Sequence, residues 1–200
     1  MNFAAQAARV FGLVHEDRVL QFASAAFDTS VEEIFPCLMR GATLVLRTDA
    51  MLESAKSFLD GCADYGVTIL DLPTAYWHDL VTDMIADHLA VPGSVRLVII
   101  GGEKANAERV ALWQSCVRPM LKLLNTYGPT ETTVTATVYD LTDYPAKSGV
   151  SQEVPIGAPL PHAQTYVLDS SLAPVPTGVP GELYIGDAGV ARGYVKQPVL

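Results

Sequence analysis

The 200-residue chain is 50% hydrophobic and 18% charged, a composition that supports a sizeable buried core and excludes intrinsic disorder. Its formal net charge of −9, without any basic cluster, argues against nucleic acid or an anionic membrane as the main partner. Small neutral or cationic ligands fit this charge better.

Cysteine usage and the start of the chain point to the compartment. The three cysteines are an odd number without Cys-x-x-Cys spacing, so neither a disulfide framework nor a zinc site is indicated. The sequence has no secretory signal pattern and no uncharged apolar run of membrane-spanning length. We therefore expect a soluble, cytoplasmic protein.

The first predicted element is a helix whose apolar face is formed by Val31, Ile34, Phe35, Leu38 and Met39. Ser30 and Glu33 have the spacing of a capping box at its start. This places the segment Phe-Asp-Thr-Ser at a helix entrance.

Four short, nearly continuous apolar runs follow, and segments of helical period lie between them. The predicted strands are Thr43–Leu46, Val67–Leu72, Arg96–Ile100 and Leu121–Asn125. Strands that alternate with helices indicate an α/β fold with a parallel sheet covered on both faces.

The pattern changes after Thr133. Shorter predicted strands at Thr133–Tyr139, Gln164–Leu168 and Glu182–Ile185 are separated by turns rich in Pro and Gly. We therefore predict two units: a partial α/β subdomain over residues 1–138, and the truncated start of a small antiparallel barrel over residues 139–200.

Ligands of open α/β sheets bind beyond the carboxyl ends of the strands, where loops and helix N-termini converge. Asp71, Gly101-Gly102-Glu103 and Asn125-Thr126-Tyr127-Gly128 stand at three such ends. The segment Asn125–Thr133 also offers an aromatic ring for a base, hydroxyls for phosphate oxygens and a carboxylate for magnesium. An ordinary Gly-Pro turn followed by strand threonines is the competing interpretation.

The same segment, NTYGPTETT (Asn125–Thr133), resembles the most recognisable core motif of adenylation domains in nonribosomal peptide synthetases, within the acyl-adenylate-forming superfamily. Phe22–Phe35 looks like the upstream substrate-pocket motif of this family. Gly181–Pro198 looks like its downstream Gly-Glu-Leu and Ala-Arg-Gly-Tyr motif, and Val154–Asp169 also agrees. The resemblance covers essentially the whole chain, as the central part of such a domain.

The resemblance implies an ATP-dependent, two-step ligase. An amino-acid carboxylate attacks the α-phosphorus of ATP, and the aminoacyl-AMP then passes to the phosphopantetheine thiol of a carrier domain. Tyr127 would stack on adenine, Thr130 would contact phosphate, and Glu131 would hold Mg²⁺. The residues it assigns to ATP are Gly102, Glu103, Asn125, Tyr127, Gly128 and Thr130, and those it assigns to catalysis are Thr130 and Glu131. Peptidyl carrier and condensation domains are the implied partners.

The resemblance also assigns the residues that select the amino acid. They are Asp28, Thr29, Glu32, Asp71, Ile99, Gly101, Thr126, Val134 and Thr135. Asp28 matches the acid that pairs with the substrate's α-ammonium, which favours an α-amino acid over an aryl or fatty acid.

Glu32 and Asp71 add two further acids to this pocket, and unpaired buried carboxylates are costly. A cationic side chain would neutralise them, which favours lysine or ornithine over arginine. In the alternative interpretation, Glu32 is a solvated first-turn helix residue and Asp71 bonds a backbone amide.

The phosphate loop and the C-terminal catalytic lysine of the family are missing from this sequence, so we expect the chain alone to be inactive. Two other interpretations stay open: a relative from the acyl-CoA or aryl-acid ligase branch, and a noncatalytic interaction or folding module.

Overall fold

A computed structural model describes residues 2–145, 153–161 and 163–197. Parts of the predicted 139–200 subdomain, at residues 146–152, 162 and 198–200, lie outside the described residues, and so does Pro198 of the downstream motif. Within the described ranges, no helix combines the length and the apolar character that crossing a membrane requires.

Helices and strands alternate through the first two thirds of the chain. The α-helices are α1 (Asn2–Val10), α2 (Thr29–Met39), α3 (Ala55–Asp64), α4 (Thr74–Ala86) and α5 (Ala107–Cys116). The strands are β1 (Arg18–Gln21), β2 (Thr43–Leu46), β3 (Ile69–Pro73), β4 (Leu97–Gly101), β5 (Lys122–Tyr127), β6 (Thr137–Asp140), β7 (Ala158–Pro159), β8 (Gln164–Leu168) and β9 (Glu182–Gly186). Short 3-10 turns occupy Asp49–Leu52 and Thr130–Thr132.

Seven strands form one sheet in the order β2-β1-β3-β4-β5-β6-β7. Strands β1 to β5 pair in parallel, and β6 and β7 are added antiparallel at one edge. Strands β8 and β9 form a separate antiparallel pair. The predicted α/β fold with a small antiparallel sheet is confirmed.

Both faces of the large sheet are covered, as the continuous apolar strands predicted. On one face, Leu70 and Ile100 pack with Trp77 and Trp113 of α4 and α5. On the other face, apolar residues such as Ile99 pack against α1 and α2. This two-layer burial is the largest source of stability, since each fully buried Leu or Ile side chain contributes about 1.5–3 kcal/mol.

The boundary predicted between residues 138 and 139 falls inside β6, which pairs with β5 along its whole length. Strand β7 extends the same sheet, so the two-stranded sheet begins only at Gln164. The division into two subdomains stays a prediction.

The capping-box prediction is wrong. Helix α2 begins two residues earlier than Ser30 as the N-cap would require, because Asp28 is the N-cap residue. The Ser30 hydroxyl donates to the carbonyl oxygen of Phe27 at 2.7 Å. The carboxylate of Glu33 accepts from the backbone N–H groups of Phe22 and Ala23, both at 2.9 Å, and therefore fixes the chain that leaves β1.

Candidate active site

A cavity of about 780 Å³ lies at the carboxyl ends of β3, β4 and β5. Asp71, Gly101 and Thr126, from the three strand ends, line it together. The wall opposite the sheet comes from the start of α2 and from the chain before it. The strand-end rule therefore locates this cavity without reference to any family.

Most of the residues assigned to substrate selection meet at this cavity. Those that line it are Asp28, Thr29, Glu32, Asp71, Gly101, Thr126, Val134 and Thr135. Ile99 is instead 1% exposed and packs in the core between the sheet and helices α1 and α2. Its assignment to the pocket stays a prediction, as do the roles of the other eight.

The residues assigned to ATP divide into two groups. Gly102, Glu103 and Gly128 line the cavity. Asn125 is buried beside it, and its amide nitrogen donates to the carbonyl oxygen of Pro155 at 2.9 Å. Tyr127 is 40% exposed at the end of β5, so one part of its ring is accessible to a ligand.

Thr130 and Glu131 lie in the exposed 3-10 turn that follows β5. The Tyr194 hydroxyl donates to the Glu131 carboxylate at 2.7 Å, and this bond lowers the pKa of that carboxyl. The Ala191 N–H donates to the Glu131 carbonyl at 2.7 Å. The segment Ala191–Tyr194 thus holds the turn at Thr130–Thr132 in place. No sequence pattern predicted this contact.

One carboxylate and an adjacent hydroxyl suit Mg²⁺, which is commonly held by one or two carboxylates together with substrate phosphates. Within the described ranges, no group of three or more His, Cys, Asp or Glu side chains could hold a metal ion. Glu131 would therefore bind Mg²⁺ only together with ligands from a bound nucleotide.

Glu32 and Asp71 are the most unusual pair in the cavity. Glu32 projects from α2, Asp71 from β3, and their exposed fractions are 5% and 3%. The Thr135 hydroxyl donates to Glu32 Oε2 at 3.2 Å, whereas Glu32 Oε1 and Asp71 Oδ2 have no hydrogen-bond donor. Two acids are therefore buried with incomplete solvation.

Burial is the main reason that the pKa of Glu32 is raised, to about 8, and the negative charges of Glu33 and Asp28 add to the shift. Burial and the charge of Glu32 also raise the pKa of Asp71 well above its usual value. The interaction between the two carboxyls raises the pKa of Asp71 further and partly offsets the rise for Glu32, as expected when one carboxyl carries a proton and the other accepts it.

Arg47 and Glu33 shape the opposite side of the cavity, and no sequence pattern predicted either role. The Arg47 Nε group donates to the Phe22 carbonyl at 3.1 Å, and its guanidinium carbon lies 5.2 Å from the centre of the Phe22 ring. Arg47 Nη1 is buried without a hydrogen-bond acceptor. Burial raises the pKa of Glu33 to about 7, although its backbone hydrogen bonds and Arg47 oppose this rise.

Two glycines allow backbone segments to approach each other at the cavity floor. A Cβ atom on Gly101 would lie 2.5 Å from the Thr126 hydroxyl oxygen, which itself donates to the carbonyl of Ile100 at 3.1 Å. A Cβ atom on Gly128 would lie 2.4 Å from the carbonyl oxygen of Val134. Gly101 is therefore required for packing against Thr126.

The return from β5 to β6 differs from the strand predicted over Thr133–Tyr139. Thr133 and Val134 both have φ of +66°, and regular pairing begins at Thr137. Left-handed backbone is strained for a β-branched residue such as Val134, and each such residue costs about 1–3 kcal/mol. The strain directs Val134 and Thr135 to the cavity wall.

The Gly128→Ala substitution is expected to destabilise the fold by about 1–3 kcal/mol, because its new methyl group would overlap backbone atoms that cannot rotate away. Urea unfolding monitored by tryptophan fluorescence measures this loss. Gly93→Ala is the matched control, since a Cβ atom there would meet nothing within 4 Å. Equal stability of the two variants would contradict the close approach at Gly128.

Comparison with known proteins identifies relatives of this chain. A family model described as AMP-binding enzyme matches residues 1–195. The isonitrile lipopeptide synthase of Streptomyces coeruleorubidus is 49% identical over 96% of this chain, and tyrocidine synthase 1 of Brevibacillus parabrevis is 35% identical over 95%. The chain spans 12% and 16% of the lengths of these relatives.

Solved structures agree with these sequence matches. The Klebsiella oxytoca NpsA N-terminal subdomain in complex with 3-hydroxybenzoyl-AMSN matches with a TM-score of 0.82 at 27% identity, over 98% of this chain and 49% of that one. The artificially fused NpsA-ThdA adenylation-PCP di-domain matches with a TM-score of 0.81, over 96% of this chain and 37% of that one.

Proposed function

Because this chain belongs to the AMP-binding enzyme family, we propose that it supplies the amino-acid pocket and part of the ATP site of a nonribosomal peptide synthetase adenylation domain. The reaction is the joining of an α-amino acid to AMP. The matches to two peptide synthases and to adenylation subdomain structures support this assignment. The carrier domain that accepts the product would be its neighbour, as in the fused di-domain structure.

In this reaction the amino-acid carboxylate attacks the α-phosphorus of ATP and the bond to pyrophosphate breaks. The chain contributes mainly by positioning, since a held near-attack geometry removes much of the entropic barrier. Tyr127 would stack on adenine, and Thr130 would donate to a phosphate oxygen. Glu131 would hold Mg²⁺, which neutralises phosphate charge when it is bound.

Asp28 would bind the substrate's α-ammonium group. It is the N-cap residue of α2, yet its side chain makes no capping hydrogen bond, and it lines the cavity. An acid at a helix start is normally used for capping, so its orientation to the cavity favours a ligand with a positive charge.

One observation carries the choice of substrate: the buried pair Glu32 and Asp71 leaves two carboxyl oxygens without donors inside the cavity. A terminal ammonium group supplies three donors and a positive charge, and therefore satisfies both acids. We propose lysine or ornithine as the substrate.

The test is amino-acid-dependent ATP–pyrophosphate exchange by an adenylation domain of tyrocidine synthase 1 in which this chain replaces the matching segment. Lysine or ornithine is expected to support exchange, and norleucine, leucine and phenylalanine are expected to fail. The Asp28→Ala variant should lose about 100-fold or more in kcat/KM for every amino acid, because an ionic partner is removed. Asp64→Asn, at the exposed end of α3, is the control.

Exchange with leucine or phenylalanine at the level of lysine would discard the cationic substrate but keep the enzyme. Unchanged activity of Asp28→Ala would favour the acyl-CoA or aryl-acid ligase branch. Should the chimera misfold, calorimetry of lysine and Mg-ATP with the 200-residue chain replaces the exchange assay. A folded chain that binds neither would support the noncatalytic module.

A further inference from the structure

Glu32 and Asp71 are poorly arranged for two negative charges. Both are almost fully buried, and their nearest donor is the Thr135 hydroxyl, which reaches only Glu32 Oε2. Two carboxylates in this position would repel each other and leave Glu32 Oε1 and Asp71 Oδ2 unsolvated. A single proton between the carboxyls removes both penalties, as in other buried acid pairs.

The other charged groups around the pair reinforce this arrangement. Glu33, the next residue of α2, and Asp28, at the start of the same helix, both act on Glu32 as negative charges. Glu33 also acts on Asp71. Arg47 interacts with Glu33, which already accepts hydrogen bonds from Phe22 and Ala23. The positive charge of Arg47 therefore acts on Glu33, and Arg47 is not among the charges that act on Glu32 or Asp71.

We propose that Glu32 and Asp71 share one proton while the cavity is empty, and that they release this proton when a ligand ammonium group enters between them. The identity of the ligand rests on the proposed function, whereas the shared proton rests on the burial of both acids in one cavity and on their carboxyl oxygens that lack donors. The pocket would therefore exchange one positive charge for another.

The exchange balances in atoms and charge. On binding, the O–H bond of the protonated carboxyl breaks, and the proton leaves to water and then to buffer. The pair becomes two carboxylates, and the ammonium group supplies the hydrogen-bond donors that the proton supplied before. The net charge of the cavity is the same in both states, so its other acids need no rearrangement.

Proton release makes selectivity depend on pH. The affinity for lysine should rise with pH by up to about tenfold per unit below pH 8, because each bound ligand displaces one proton. Norleucine has the same chain length without the terminal ammonium, so its affinity should lack this slope. The cavity should therefore discriminate best between lysine and norleucine at a pH at which the Glu32–Asp71 pair readily loses its proton.

Two measurements on the 200-residue chain test the proposal. Carboxyl ¹³C NMR of the ligand-free chain should show Glu32 and Asp71 reporting the same proton, lost well above the ordinary range of a carboxyl group. Calorimetry with L-lysine in buffers of different ionisation enthalpy should give about one proton released per ligand at pH 7. Glu32→Gln and Asp71→Asn should each abolish this release, while Asp64→Asn should keep it.

The outcomes separate the two proposals. If lysine binds without proton release, or if both carboxyls are ionised by pH 6, the shared proton is overturned and the substrate assignment stands. If lysine does not bind but the NMR titration shows the shared proton, the pair stands and the cationic substrate is overturned. Release that persists in Glu32→Gln and Asp71→Asn would assign the proton to Glu33 and refute the pair.

Discussion

Replacement of Asp17 by Ala is expected to lower the free energy of unfolding by about 3–5 kcal/mol, because it strands a partly buried guanidinium and several donors. Asp17 is 2% exposed. Its Oδ1 atom accepts from Arg96 Nε and from the Thr68 hydroxyl, both at 2.8 Å. Its Oδ2 atom accepts from Arg96 Nη2 at 2.5 Å and from the Val14 N–H at 2.9 Å. This one carboxylate joins the starts of β1, β3 and β4.

Urea unfolding at pH 7 measures the effect, with Asp60→Ala as the control. Asp60 forms an exposed i,i+4 ion pair with Lys56 on α3, and loss of such a pair costs less than about 1 kcal/mol. Burial, the largest single effect, would raise the pKa of Asp17, but the hydrogen bonds from Arg96, Val14 and Thr68 and the charge of Arg96 together lower it. The stabilisation should therefore be present above pH 3.8 and disappear as the pH falls through the lower folded value. Equal losses in the two variants would contradict a structural role for Asp17.

Stability should also fall as the pH rises from 5 to 8, because of Glu32. The folded chain keeps its proton up to about pH 8, whereas an unfolded chain releases it near the ordinary value of 4.5. The folded state therefore binds more protons throughout this window, and each bound proton costs about 1.4 kcal/mol of stability per pH unit. A total loss of about 2–5 kcal/mol is expected between pH 5 and pH 8.

Glu33 contributes to the same slope only up to its folded pKa of about 7, so above pH 7 the slope comes from Glu32 and its partner Asp71, whose pKa is also raised. In the Glu32→Gln variant the curve above pH 7 should be nearly flat, because the amide group can donate to Asp71 Oδ2 without a titrating proton. Chemical unfolding at several pH values gives the curve. A slope that survives in Glu32→Gln would show that another group binds the proton.

The α/β architecture and the position of the cavity could be predicted from the spacing of apolar residues along the chain. Val67–Leu72 and Arg96–Ile100 read as buried strands, and β3 and β4 occupy Ile69–Pro73 and Leu97–Gly101. The shift by one or two residues reflects pairing with neighbours, since Pro73 opposes Gly101 in the sheet. Strand β1 was missed because Arg18–Gln21 places only two apolar residues between polar ones.

The contacts within the site could not be read from sequence, because they join distant residues. The Asp17–Arg96 ion pair joins residues 79 positions apart, and no local sequence pattern around either residue predicts the contact. Glu33 matched a local capping pattern but satisfies backbone donors ten and eleven residues upstream instead. The composition of Thr133 and Val134 is typical of strand residues, whereas their left-handed backbone occurs where Val134 lies close to Gly128, a contact that no local pattern predicts.

The hydrogen bond from Thr135 to Glu32 closes the cavity across 103 positions of sequence. Segments far apart in the chain form its walls, so the cavity is complete only when the large sheet has assembled. No single hairpin forms these walls by itself. A ligand that binds there stabilises the parallel sheet as one unit, and a cleavage that lets strands β1, β3, β4 or β5 separate removes the entire binding site at once.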